Sequence, residues 1–175
     1  MSSTLADELA YASLAEVVAL VRSRKVSPVE LVDAAYERIA QRNGTLNAFV
    51  YQRPDYARQR ARDVEQALLA GHDPGPLAGI PTAIKDLADS RPGWVSTLGG
   101  IRALQNHLID GYCNFAWRME LAGAIPLGKT NSPTMGFRGT CDNFLWGPTR
   151  NPFDTTRNSG GSSGGAAAAV ADGLL

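Results

Sequence analysis

Lys85 and the serine pair Ser162-Ser163 are the residues whose chemical type and setting point most directly to catalysis. The pair lies in Asn158-Ser159-Gly160-Gly161-Ser162-Ser163-Gly164-Gly165, followed at once by Ala166 to Ala169 and then Val170-Ala171-Asp172-Gly173-Leu174-Leu175. Glycine pairs on both sides permit a tight backbone passage, and the alanines are strong helix formers. The passage therefore delivers hydroxyls to a helix N-terminus, where free N–H groups and the dipole favour developing negative charge. A flexible glycine-serine linker is the plain alternative for such a stretch taken alone. Lys85 stands in Gly79-Ile80-Pro81-Thr82-Ala83-Ile84-Lys85-Asp86, an apolar strand-like run. Set among Ile80, Ala83, Ile84 and Leu87, its amine loses hydration if buried, which lowers its proton affinity and makes it a base. The alternative is a strand-end lysine whose stem carries the charge to solvent.

The two elements together resemble the amidase signature family, serine hydrolases built on a Ser-Ser-Lys triad. The resemblance runs from about Ser27 onward, through Gly79 to Asp86, Ala122-Gly123-Ala124 with Gly128-Lys129-Thr130-Asn131, Gly147-Pro148-Thr149-Arg150-Asn151-Pro152 and the terminal serine loop. It implies Lys85 as general base in its neutral form. It implies Ser162 as the bridging serine, preceded by a cis peptide bond, passing a proton between lysine and nucleophile, with Ser163, Gly160 and Gly161 in support. Ser159 stands where a proline is common in the family, and Ala166 where a serine is common. The stretch Met135 to Asn143 does not look like that of the glutaminase subunits that make glutaminyl-tRNA, which favours small-amide hydrolysis.

The resemblance also implies a nucleophilic serine in a second glycine-rich turn beyond this loop, where backbone N–H groups form the oxyanion hole. The sequence ends at Leu175 without such a turn, and Ser90, Ser96, Ser132 and Ser159 lack that setting. The expectation is an N-terminal portion of an amidase that hydrolyses a carboxylic amide through an acyl-enzyme, inactive alone. A noncatalytic piece, or one half of a split enzyme acting through a partner, is the competing expectation.

Gly123-Ala124-Ile125-Pro126-Leu127-Gly128-Lys129-Thr130 satisfies the phosphate-loop pattern GxxxxGK[ST] letter for letter. That loop needs a preceding strand, a cradle of N–H groups and a helix starting at the lysine. Here a helical pattern precedes it, Ala124 to Leu127 read as a strand, Pro126 removes an N–H, and Pro133 falls in the first turns of the required helix. The match is set aside. His72 and His107 have no ligand at metal-site spacing and read as surface residues, while Cys113 and Cys141 form no CxxC pair and suit a reducing compartment. Neither a metal nor a cofactor is expected. Asn43-Gly44-Thr45 reads as a turn after a helix rather than a glycosylation site.

Seventeen basic residues balance seventeen acidic ones in a chain of 175 that is 44% hydrophobic. No global field favours nucleic acid or an anionic membrane, no run approaches the length of a bilayer span, and Met1 to Glu8 lacks a basic leader. The expected setting is cytoplasmic, and the expected partners are a small-molecule amide and either a homo-oligomer or a complementing C-terminal half.

The elements that must position Lys85 and Ser162 read as α/β. Ser13 with Glu16 and Ser27-Pro28 with Glu30 are capping boxes that start helices near Leu14 and Pro28. In the second helix Val29, Val32, Ala35, Tyr36 and Ile39 share a face, and Asn43-Gly44 is its expected end. A strand near Asn47 to Tyr51, a charged helix from Asp55 to Leu69, the Lys85 strand, a helix near Cys113 to Leu121 with Phe115, Met119 and Ala122 in register, the strand Ala124 to Leu127 and an apolar helix Gly164 to Leu175 follow. Ser90 to Gly111 and Lys129 to Ser163 lack periodicity. Trp94, Phe137 and Trp146 are pocket candidates that more commonly serve as packing. By resemblance this is the N-terminal part of the amidase signature fold, a mixed sheet flanked by helices and incomplete. It is read as a single partial domain over 1–175, with a helical region to about 45 and a core portion from about 46.

Overall fold

A computed structural model describes residues 8–175. Residues 1–7, most of the segment read above as free of a leader, lie outside the described residues.

The first helices form where the capping sequences place them. Helix α1, Leu14–Arg22, starts with Ser13 Oγ accepting from Glu16 N at 3.3 Å. Helix α2, Pro28–Leu46, carries the complete reciprocal box: Ser27 accepts from the first turn and Glu30 accepts from Ser27 N at 2.9 Å. A Ser27→Ala change is expected to cost about 1 kcal/mol, measurable by urea unfolding. Helix α2 runs past its expected stop at Asn43-Gly44. The Asn43 carboxamide instead binds both backbone groups of Phe49, and Asn47 takes the left-handed conformation that ends the helix. Asparagine can fill either role, and only the position of Phe49 selects between them.

After α2 come strand β1 (Phe49–Gln52), helix α3 (Pro54–Leu69), strand β2 (Pro81–Lys85), helix α4 (Asn114–Leu121) and strand β3 (Ile125–Thr130). The sheet order is β1-β3-β2, with β1 antiparallel and β2 parallel to β3. All six residues of the central strand are buried, and the core joins Ile125 and Leu127 to α2 through Ile39 and Leu46, to α3 through Ala57 and Ala61, and to the last helix through Ala168 and Ala169. Tyr36 closes this layer, its buried hydroxyl donating to Leu127 O at 2.6 Å.

Three expectations change. Strand β3 extends to Thr130, so Lys129 lies inside a strand and no helix starts there. On α4 the buried residue is Ala116, whereas Phe115 is half exposed, because the helix meets Ile84 and Trp94 on a narrow face. The last helix, α5, spans Gly164–Ala171 and stops at Asp172-Gly173 rather than reaching Leu175. Gly173 is left-handed, and α2 fixes this end through a bidentate Arg42 to Asp172 pair and a 2.7 Å bond from Arg38 Nε to Gly173 O. A hairpin of β4 (Arg150–Asn151) and β5 (Asp154–Asn158) also interrupts the long aperiodic stretch. Its strands bury little apolar surface, so they carried no hydrophobic alternation to find.

Candidate active site

Strand β2 and helix α5 bring the two sequence-predicted groups together. Lys85, at the C-terminal end of β2, donates from Nζ to Ser162 Oγ at 2.8 Å across 77 positions of sequence. Partial burial lowers the proton affinity of this amine, opposed by the nearby Asp89 and Cys141. The Lys85 backbone N–H donates to Asp89 Oδ2 at 2.9 Å, which holds the strand end. The Gly161–Ser162 peptide bond is cis. Gly160 is left-handed, and a Cβ on Gly161 would lie 2.9 Å from the Thr140 carbonyl carbon, so a side chain there would meet backbone. Ser163 is the exposed N-cap of α5, and its hydroxyl makes no cap bond. A neutral amine bonded to a hydroxyl at the start of a helix can move a proton along that bond and can stabilise a nearby anion.

Sequence reasoning missed the buried polar frame behind these groups. Asp86, next to Lys85, is buried and accepts from Thr97 N at 2.9 Å and from Thr97 Oγ1, while its own carbonyl accepts from Ser132 Oγ at 3.1 Å. Asn131 donates to Gly147 O and Thr149 Oγ1, both at 3.0 Å, and accepts from Asn143 at 2.8 Å and from Gly165 N at 3.2 Å. Ordered polar residues thus tie the loop after β3 to the first turn of α5. The available signal was the run Lys129-Thr130-Asn131-Ser132, polar residues continuing directly from a buried strand.

Lys129 is the second lysine of this region and is entirely buried. Its Nζ lies 3.9 Å from Asp86 Oδ1 and has no hydrogen-bond partner. Burial lowers its proton affinity, and Asp86 and Asp89 oppose that shift. A lysine held below its ordinary range binds fewer protons folded than unfolded between the two midpoints, so its contribution to stability rises with pH through that window. Lys129→Met is expected to reduce the gain in urea midpoint between neutral and alkaline pH.

The three aromatic candidates separate. Trp94 is core, packed between Tyr51 and Tyr56 at ring distances of 5.7 and 5.5 Å. Trp146 is half-buried and donates to Thr97 Oγ1 at 3.3 Å, and Phe137 is exposed. His72 and His107 are exposed. Cys141 is a buried free thiol bonded to Thr149 Oγ1, and Cys113 accepts from Ala116 N at the start of α4.

The amidase family profile matches residues 30–175, which include both Lys85 and Ser162. The chain belongs to the amidase signature family. Among its curated relatives, an acylamidase of Rhodococcus erythropolis is 38% identical over 168 residues, covering 95% of the chain and 34% of the relative. A glutamyl-tRNA(Gln) amidotransferase subunit from Aromatoleum aromaticum is 41% identical over 164 residues, with 94% and 33% covered. A bacterial aryl acylamidase structure superposes with TM-score 0.92 at 48% identity over 94% of the chain and 34% of its own. The chain spans about a third of the length of the relatives it matches. Amidotransferase subunits stand among these relatives at comparable identity.

Proposed function

We propose that this chain is a single partial domain carrying the base and the bridging serine of an enzyme that hydrolyses carboxylic amides. The observation that carries the reading is the 2.8 Å bond from Lys85 Nζ to Ser162 Oγ, with burial holding the amine below the ordinary lysine range. Neutral Lys85 takes the Ser162 proton as Ser162 takes that of the attacking serine. The serine oxygen bonds to the amide carbon, the C–N bond breaks, and the relay returns a proton to the leaving amine. Water then cleaves the acyl-enzyme ester, releasing the carboxylate. The attacking serine comes from polypeptide outside these 175 residues, either continuous with the chain or supplied by a complementing partner. No step calls on a cofactor. Relatives named acylamidase and aryl acylamidase make acylated aromatic amines the first substrates to assay.

A fluorophosphonate probe tests the reading. The 175-residue chain should remain unlabelled, whereas the polypeptide isolated from its host at its native mass, or the chain joined by its complement, should be labelled at one serine. Labelling of the chain alone would overturn the assignment of the nucleophile. An unlabelled, amide-inert native species would favour a noncatalytic role.

A further inference from the structure

The serine loop is clamped by a side chain whose hydrogen bonds go to Gly160 and Cys141 rather than to Lys85 or Ser162. Asn158, the last residue of β5, accepts at Oδ1 from both Gly160 N and Cys141 N, each at 2.9 Å, and donates from Nδ2 to Cys141 O at 2.9 Å. Its carboxamide thus pairs with both backbone groups of Cys141, as a neighbouring strand would, while bridging forward to the glycine turn. The segment so held forms the wall of the loop, because Gly161 backs against the Thr140 carbonyl. The same Cys141 O also accepts from Thr149 N at 2.9 Å, and Thr149 O accepts from Ser159 N at 3.1 Å. That last bond uses an N–H that a proline at position 159 would not have. The rigidity a proline gives through its ring is here given by hydrogen bonds, with Asn158 at their centre.

We propose that Asn158 is the positioning residue of the serine loop, setting the distance between the Ser162 hydroxyl and the Lys85 amine by locking Gly160 to Cys141. This rests on the reading of Lys85 and Ser162 as a coupled pair, so the test separates the two ideas. The chain holds only three lysines, Lys25, Lys85 and Lys129, and lysine side-chain NMR resolves them individually. In Asn158→Ala the loop loosens and admits water, so the Lys85 titration midpoint should rise toward the ordinary lysine range while Lys129 stays unchanged. The Gly160 and Cys141 amides should lose about tenfold of their exchange protection. Asn158→Ser, which keeps a short uncharged acceptor for Gly160 N but loses the donor to Cys141 O, should give the intermediate result and stands in if the alanine variant does not fold.

Two controls complete the experiment. Asn151→Ala removes the acceptor of the hairpin-turn bond from Phe153 N and should leave Lys85 unmoved, since it loosens the hairpin without touching the loop. Ser162→Ala should shift the Lys85 Nζ resonance directly. If Ser162→Ala has no effect, the coupled-pair reading fails. If Ser162→Ala moves Lys85 but the folded Asn158 variants do not, or if Asn151→Ala moves it equally, the positioning role of Asn158 is refuted and the reading of the pair survives.

Discussion

Replacing Lys85 by alanine in the polypeptide that carries the nucleophile is expected to lower kcat by at least about a thousandfold, leaving substrate binding nearly unchanged. The amine is bonded to Ser162 at 2.8 Å, and no other lysine, histidine or carboxylate among the described residues is bonded to that hydroxyl. Removal of the amine therefore leaves no base to receive the proton. The pH dependence gives an independent check. Lys85 works neutral, so turnover should fall tenfold per pH unit below its midpoint and level off above it. Because burial lowers that midpoint, the fall should begin at a lower pH than an exposed lysine would give. Arginine at position 85 should not restore activity, since a guanidinium stays charged. A steady-state pH profile of the two enzymes reads all of this, and substantial activity in Lys85→Ala would sink the assignment.

Gly165→Ala is expected to destabilise the fold by about 3 kcal/mol or more, or to prevent folding, although alanine is the better helix former. A Cβ at Gly165 would lie 2.4 Å from Asn131 N, 2.6 Å from Ala48 O and 2.8 Å from Asn131 O. All three are backbone atoms, so no rotamer change relieves the overlap. Helix α5 would have to retreat from the loop after β3, breaking the Gly165 N to Asn131 O bond and moving Ser162 with it. The neighbouring position Ala167 is exposed on the same helix, and Ala167→Ser should be nearly silent. Thermal unfolding of the two variants distinguishes close approach from helix propensity, because propensity alone predicts a gain of roughly 1 kcal/mol for Gly165→Ala.

The division between what was legible in the sequence and what was not follows the range of the interactions. Local signals placed the helices that start at Leu14 and Pro28, because a capping serine and its acidic partner lie three residues apart and bond each other whatever surrounds them. The Lys85 strand and the serine loop were also legible, since glycine pairs and an interrupted apolar run declare their backbone needs directly. The stop of α2 at Asn47 was not, because Asn43 serves Phe49 only once β1 is docked. The β4–β5 hairpin was not, because its strand residues are all polar and leave no apolar period. Sequence patterns pointed to Lys85, the serine pair Ser162-Ser163 and the elements that carry them, and the family resemblance singled out Ser162. Tertiary structure alone decided that the two meet at 2.8 Å, that Lys129 is buried without a hydrogen bond, and that Asn131 and Asn158 hold the loop. Apart from the short Gly160 to Asn158 bond, those relations join residues 12 to 77 positions apart or depend on burial, and a buried polar group's partner is fixed by packing rather than by its neighbours along the chain.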